Sequence, residues 1–183
     1  MHGVIYVNSN SKRNHILAAA SIVCRNNGVE KLTLEAVARG AGVSKGGLLH
    51  HFPNKEALIK AMVEELTNDF FSNVHQKVAI ASPETGKWSR AFVEAVDDDL
   101  KEEKGISTAL SAALFTNPDI LGKFQEQYAV WQRNIANDGI DPVRSTINRL
   151  AADGLWYSEM FGVGVLDKEL RSKVIQELIN MTE

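Results

Sequence analysis

The amino-acid sequence predicts an all-α protein of about nine helices, with a small N-terminal three-helix domain and a larger C-terminal helical domain. Apolar residues recur at helical spacing through nearly the whole chain, and no stretch shows sustained period-two alternation in strong β-forming residues. Capping residues, glycines and prolines separate the apolar segments where helices are expected to begin and end. These breaks determine the predicted number of helices.

Three helices are predicted in the first part of the chain. The first runs from about Lys12 to Asn27 and is followed by a glycine. Thr33 is the predicted N-cap of a short second helix that ends at Gly42, and Ser44 is the predicted N-cap of a third helix that ends near His51.

A long fourth helix is predicted to begin after Pro53-Asn54 and to continue to about Ile80. A helix of ~25 residues is ~37 Å long, so it can join two domains without a flexible linker. Asn117-Pro118 and Asp141-Pro142 each place a capping residue before a proline at the first helical position. Further helices are therefore expected at about 87–103, 106–115, 118–137, 142–162 and 167–181.

The charges are divided unevenly along the chain. Residues 1–55 hold seven basic and two acidic side chains, a net charge of +5, whereas the remainder holds 13 basic and 21 acidic side chains, a net charge of −8. This distribution indicates that only the first segment approaches the phosphates of a nucleic acid.

Several classes of protein are disfavoured by composition. Cys24 is the only cysteine, so neither an intramolecular disulfide nor a thiolate zinc site is expected. No apolar run approaches the ~20 residues that span a bilayer, and the N-terminus lacks the pattern of a secretory signal. We expect a cytoplasmic protein with no membrane partner.

The second and third helices, joined by a tight turn at residues 41–44, form a predicted helix-turn-helix, a motif whose second helix can enter the major groove of DNA. Val43, Leu48 and Phe52 are the predicted inner contacts, and Lys45 and Lys55 are suited to bind phosphates. The predicted DNA-contact residues are Thr33, Ser44, Lys45, Gly46, Gly47, Leu49, His50, His51 and Lys55.

The segment Gly42–Leu58, which reads GVSKGGLLHHFPNKEAL, closely resembles the recognition-helix signature of the TetR family of bacterial transcriptional regulators. This signature covers about the first third of the chain, and the helical pattern of the rest fits the family. Leu49 stands where many relatives carry an aromatic residue, usually tyrosine. A phenolic contact to DNA is thereby lost, and His50 or His51 can supply polar contacts instead.

The resemblance implies that residues 1–53 form an N-terminal arm and DNA-binding domain, and that residues 54–183 form a helical regulatory and dimerisation domain. In such a domain an apolar or amphipathic effector commonly binds in a pocket among the helices. Core and pocket residues have the same sequence signature, so each candidate is also a candidate for the core. The predicted ligand contacts are Phe92, Val96, Phe115, Phe124, Tyr128, Trp131, Trp156 and Met160.

The last two predicted helices carry more apolar surface than one intrachain contact requires. Two copies of this helix pair can form an isologous four-helix interface. The predicted interface residues are Val143, Ile147, Leu150, Ala151, Leu170, Val174, Ile175, Leu178 and Ile179.

These patterns favour a sequence-specific DNA-binding regulator, namely a repressor that a small molecule releases from its operator. Its partners would be double-stranded operator DNA, a second copy of the chain and the small-molecule effector. One alternative is a DNA-binding protein of the same fold that responds to a protein partner or to nothing. Another is an enzyme or a transport-associated binding protein in which the helix-turn-helix is incidental.

Catalytic and metal-binding motifs are not found in the sequence. It contains no phosphate-binding loop, no His-Glu-x-x-His site and no Gly-x-Ser-x-Gly turn. The run Asp97-Asp98-Asp99 is interpreted as a solvated acidic face, because consecutive residues on a helix point in different directions. We expect no enzymatic activity, no cofactor and no metal.

Overall fold

The computed structural model of the chain describes residues 9–28, 31–82, 85–101 and 117–183. These residues form eight α-helices and no strand, which confirms the all-α prediction, while the helix expected at about 106–115 lies outside the described residues. The helices are α1 (Ser9–Asn27), α2 (Leu34–Gly40), α3 (Lys45–His51), α4 (Lys55–Ile80), α5 (Lys87–Lys101), α6 (Pro118–Ala136), α7 (Pro142–Phe161) and α8 (Lys168–Asn180).

Side-chain caps account for where most of these helices begin. In each case a hydroxyl, amide or carboxylate oxygen accepts a hydrogen bond from a backbone N–H of the first turn, which has no partner within the helix. The capping residues are Thr33 for α2, Ser44 for α3, Asn54 for α4, Asn117 for α6, Asp141 for α7 and Asp167 for α8.

Helix α1 begins at Ser9, earlier than the predicted start at Lys12. The buried face of this helix begins only at Ile16, so the polar residues before it carry no periodic signal. The apolar pattern therefore located the body of the helix but not its first turn.

The chain divides into two compact units, Met1–Glu64 and Glu65–Glu183, and α4 contributes residues to both. In the first unit α1 contacts α2, and α2 contacts α3. The apolar side chains buried there come from all of its helices and include Ile16, Leu17, Ala20, Leu32, Val37, Leu48, Phe52 and Leu58.

In the second unit α5 contacts α6, α7 and α8. The apolar core of this unit contains Val74, Phe92, Val93, Val96, Trp131, Ile135, Ala152, Ile175 and Leu178. Edge-to-face packing joins several of its rings, including the Trp131 ring to those of Phe70, Phe71 and Phe92 at centroid distances of 5.6, 5.1 and 5.3 Å. Such pairs add to the stabilisation by burial.

The start of α5 is held by a residue distant in sequence. The buried carboxylate of Asp138, between α6 and α7, accepts hydrogen bonds from the backbone N–H groups of Trp88 and Ser89 at 3.1 and 2.8 Å. Gly86, just before α5, has a φ of 74°, and a Cβ there would lie 2.0 Å from the carbonyl oxygen of Thr182. Only glycine fits this position without a backbone shift.

Candidate nucleic-acid interface and aromatic pocket

The turn between α2 and α3 has the geometry that the sequence predicts. Gly42 adopts a φ of 61°, the left-handed region that favours glycine, and the N–H of Val43 donates to the carbonyl of Ala38 at 3.0 Å. Ser44 then caps α3, its Oγ accepting from the N–H of Gly47 at 3.1 Å. The two short helices are thus joined by a turn with defined hydrogen bonds.

The two faces of α3 differ as a helix-turn-helix requires. Leu48 is fully buried and Phe52, which follows the helix, is nearly so. Among the predicted DNA-contact residues, His51 and Lys55 are half-buried, and the others are exposed: Thr33, Ser44, Lys45, Gly46, Gly47, Leu49 and His50. The exposed residues of α3 include one cationic side chain, Lys45, and one imidazole, His50. The first turn of α3 contains Gly46 and Gly47, which allow another molecule to approach closely.

The structure adds an ion pair that the sequence did not predict. The ammonium group of Lys45 on α3 contacts the carboxylate of Glu35 on α2, and both side chains are exposed, at 59% and 61%. The hydrogen bond from Lys45 lowers the pKa of Glu35. Lys45 therefore already has an anionic partner before any phosphate approaches.

Two residues of α1 support the helix-turn-helix from the side. The Nε2 atom of His15 lies 3.0 Å from the carbonyl oxygen of Ala41 in the turn. The guanidinium of Arg13 lies over the ring of Phe52, 5.3 Å from its centroid, which is cation–π geometry.

An aromatic pocket lies in the second unit, between α4, α5, α6 and α7. It encloses about 440 Å³, part of it open to solvent, and its interior has room for about one water molecule. Its described lining residues are Leu66, Thr67, Phe70, Phe71, Val96, Asp99, Phe124, Tyr128, Asp153 and Trp156.

Polar groups in the pocket wall are paired across helices. The hydroxyl of Tyr128 on α6 donates to Asp153 on α7 at 2.9 Å, and Asp153 also forms an ion pair with Arg149 one turn earlier. The indole N–H of Trp156, also on α7, donates to Asp99 on α5 at 2.7 Å. These contacts orient both carboxylates.

Burial shifts the acid–base properties of this wall. Loss of hydration raises the pKa of Asp153, and Arg149 and the Tyr128 hydroxyl oppose that rise only in part. Burial, together with the negative charge of Asp153, raises the pKa of Tyr128, so its hydroxyl stays protonated and remains a donor.

The predicted ligand contacts divide into three groups. Val96, Phe124, Tyr128 and Trp156 line the pocket. Phe92, Trp131 and Met160 are buried and are not among its lining residues, and Phe115 lies outside the described residues.

The sequence interpretation missed two components of the pocket. One is the contribution of α4, and the other is the pair of carboxylates, Asp99 and Asp153. The acidic run that ends at Asp99 was interpreted as a solvated face, and for Asp99 this was wrong. Because α5 packs against three other helices, this carboxylate lies in the pocket wall instead.

The residues predicted to form the dimer interface differ in their exposure. Val143, Ile147 and Leu150 form an exposed stripe on α7, and Leu170 is exposed on α8. Ala151, Val174 and Ile179 are half-buried. Ile175 and Leu178 instead belong to the apolar core of their own chain, because α8 packs that face against α5 and α7.

Metal-ligand clusters and membrane-spanning helices are absent from the described residues. No three histidine, cysteine, aspartate or glutamate side chains come together as metal ligands there. In the same part of the chain, no helix has the length and apolar character needed to cross a membrane. Cys24 is half-buried, and burial raises the pKa of its thiol.

A capped helix-turn-helix in one unit and a pocket-bearing helical bundle in the other define the class of helix-turn-helix regulators with a separate helical domain. Two family models match the chain. Residues 16–62 match "Bacterial regulatory proteins, tetR family", and residues 86–183 match "Tetracyclin repressor-like, C-terminal domain". The chain therefore belongs to the TetR family.

Curated relatives resemble the chain over part of its length. It is 29% identical over 85 residues to the HTH-type transcriptional repressor KstR2 of Rhodococcus jostii, a match that covers 46% of this chain and 39% of that protein. It is 39% identical over 51 residues to the HTH-type transcriptional regulator UidR of Escherichia coli, covering 28% of this chain and 26% of that one. The matches thus span well under half the length of these relatives.

Solved structures share the fold over nearly the whole chain. A transcriptional regulator from Rhodococcus has a TM-score of 0.64 at 19% identity, covering 93% of this chain and 95% of the other. The multidrug binding protein EbrR, complexed with malachite green, has a TM-score of 0.54 at 22% identity, covering 91% and 97%. At these identities the likeness concerns the fold alone.

Proposed function

We propose that this chain is a sequence-specific DNA-binding transcriptional repressor that acts as a homodimer and leaves its operator when a small molecule binds. The observation that carries the proposal is the exposed surface of α3, which is capped, glycine-rich and carries Lys45, within the first 55 residues, whose net charge is +5. Its site of action would be the bacterial cytoplasm, where the operator lies, and it would catalyse no reaction.

The DNA-binding role assigns different contacts to residues of α3 and to Lys55, the half-buried first residue of α4. Lys45 and Lys55 would contact phosphates, which supply affinity without sequence information. Leu49 and His50 are exposed on α3 and would contact base edges, Leu49 through a thymine methyl and His50 through a hydrogen bond. The names of the KstR2 relatives, which are repressors, support repression as the mode of action.

Dimerisation rests on the exposed stripe of α7. Val143, Ile147 and Leu150 are 67%, 53% and 54% exposed, an unusual state for three large aliphatic side chains on one helix. Leu170 on α8 adds a fourth exposed aliphatic group. A second copy of the chain would cover this surface, and a dimer that binds successive major grooves needs its two recognition helices ~34–36 Å apart.

Release by a ligand would use the pocket of the second unit and helix α4. This helix begins at Lys55, a proposed phosphate contact, and carries the pocket residues Leu66 and Phe70 further along. Because the pocket has room for only about one water molecule, an effector must move its walls apart. A ligand that prefers the widened form by ~1–3 kcal/mol would weaken operator binding ~5- to 150-fold.

The test begins with selection of bound duplexes from a random DNA pool, followed by measurement of affinity at several salt concentrations. We expect Lys55→Ala to weaken binding to all duplexes similarly and to reduce the salt slope by about one, and His50→Ala to change base preference. Lys168→Ala, which removes an exposed charge from α8, is the matched control. Unchanged affinity and specificity after combined alanine substitution of Lys45, His50, His51 and Lys55 in a folded protein would refute the assignment.

A further inference from the structure

The first unit contains a cation that contacts an aromatic ring and no carboxylate. The guanidinium of Arg13 on α1 lies over the ring of Phe52, 5.3 Å from its centroid. Among the residues that the structure describes, no hydrogen bond or ion pair involves Arg13. Residues 1–8, which precede α1, contain no acidic side chain. Within the described part of the chain, the charge of Arg13 is therefore met by a ring alone.

Contact with a ring positions the guanidinium without using its N–H groups. An arginine carries five N–H donors in a planar fork that matches the oxygens of a phosphate. Phe52 is nearly buried, and its backbone N–H donates to the carbonyl of Leu48 at 2.9 Å, so the ring is fixed to the end of α3. Arg13 is itself half-buried, which restricts its side chain further. The donors of Arg13 are thus held in place for an acceptor from outside the chain.

This guanidinium lies at one end of the recognition helix. Phe52 directly follows α3, and Lys55 begins α4 three residues later. Lys45 lies at the other end of α3, where Glu35 already neutralises it. A phosphate that approaches Lys45 must compete with a carboxylate, whereas a phosphate at the Phe52 end meets an arginine that has no such partner.

We infer that Arg13 binds a phosphate of the operator backbone beside the C-terminal end of α3, and that the Phe52 ring holds its guanidinium in place for this contact. The inference rests on the proposed function, because it adds a contact from α1 to the same DNA interface. A phosphate is recognised by its charge and shape and carries no base identity. Arg13 therefore contributes affinity and no sequence preference.

The test removes the charge of Arg13 and keeps most of its side-chain length. Arg13→Met retains an unbranched side chain that can still pack on the Phe52 ring, and Arg13→Lys retains the charge without the planar fork. The matched control is Arg25→Met, which removes an equal charge from an exposed position in the last turn of α1. The two arginines are ~18 Å apart along the helix, beyond the screening length of ~10 Å at 0.1 M salt.

The affinity of each full-length variant is measured at several salt concentrations, for a duplex selected from a random pool and for an unrelated duplex. We expect Arg13→Met to weaken binding of both duplexes about tenfold near 0.1 M salt and to reduce the salt slope by about one for each bound protomer. Arg13→Lys should keep the wild-type slope and lose about threefold in affinity, because its ammonium cannot bind a phosphate through two parallel hydrogen bonds. Arg25→Met should change neither quantity.

The salt slope separates a phosphate contact from a purely structural role. If Arg13 only braced Phe52, a smaller folded fraction of Arg13→Met would lower the affinity by one factor at every salt concentration. An unchanged slope in Arg13→Met, or an equal change in Arg25→Met, would therefore overturn the inference. Both results would leave the proposed function intact, whereas a wild type that binds no duplex would refute both.

Neutral methylphosphonate groups, placed one at a time in the selected duplex, supply a second measurement. The wild type and Arg13→Lys should each lose affinity at one phosphate per half-site where Arg13→Met loses none, since the contact is already absent there. Circular dichroism checks that each variant is folded, and Arg13→Gln takes the place of Arg13→Met if that variant is not. Equal losses in all of these proteins at every phosphate would contradict the inference.

Discussion

Lys45 on the recognition helix forms an ion pair with Glu35 on the preceding helix, so the exposed cation of this helix is neutralised within its own motif. Both side chains are more than half exposed, a setting in which ion pairs contribute little to stability. The pair is therefore more important for binding than for folding, because an approaching phosphate must compete with Glu35 for the ammonium group.

Glu35→Gln is expected to raise operator affinity a few fold at low salt, since Lys45 no longer has to leave a carboxylate. The difference from the wild type should shrink as salt increases, because screening weakens exposed charges. Fluorescence anisotropy of a labelled operator at two ionic strengths measures both effects. Glu56→Gln, an equal charge change in the first turn of α4, corrects for general electrostatics. A loss of affinity in Glu35→Gln alone would mean that Glu35 orients Lys45 for the DNA.

Ser44→Ala is expected to lower the free energy of unfolding of the first unit by about 1 kcal/mol, because the N–H of Gly47 loses its acceptor. Ser44→Thr should restore most of this loss, since its hydroxyl can accept the same hydrogen bond. Thermal unfolding followed by circular dichroism gives the comparison. Equal stability of the alanine variant and the wild type would show that the cap contributes nothing to α3.

Ile147→Glu combined with Leu150→Glu is expected to convert the dimer into a folded monomer, because two charges would be buried at the proposed interface. Sedimentation at micromolar concentration measures the oligomeric state. Ile80→Glu, at a residue of α4 that is 84% exposed, is the control and should leave the dimer intact. A dimer that survives the double substitution would place the interface elsewhere.

Asp153→Asn is expected to change the pH dependence of stability. The folded-state pKa of Asp153 is raised by burial, so the folded protein binds a proton more readily than the unfolded chain does. This group's contribution is therefore present at pH values below the usual carboxyl pKa of about 4 and is lost as pH rises through the folded pKa.

Denaturant titrations between about pH 4 and pH 7 measure this contribution as the difference between the wild type and Asp153→Asn. The free energy of unfolding of the wild type should exceed that of Asp153→Asn by the largest amount near pH 4, and this difference should shrink as pH rises. Asp69→Asn, which removes an exposed carboxylate from α4, is the control. A difference that instead grows with pH would mean that the ion pair with Arg149 outweighs the cost of burial.

The features of this protein that the sequence alone determined are those that depend on local interactions. The all-α class, the caps at Thr33, Ser44, Asn117 and Asp141, and the turn at Gly42 depend on interactions within a few residues, which spacing and residue type reveal. The separation of Leu48 from Leu49 on α3 also followed from helical periodicity, because consecutive residues point to different sides.

Only the tertiary structure decided how distant residues meet. Periodicity shows that an aromatic residue faces inward, but it does not distinguish Phe124, which lines the pocket, from Phe92, which is closed within the core. The pairing of Asp99 with Trp156 and of Lys45 with Glu35 depends on how separate helices pack, and no local spacing encodes it. Likewise, α8 carries an apolar stripe in its sequence, but packing against α5 and α7 determined that Ile175 and Leu178 are buried while Leu170 remains exposed.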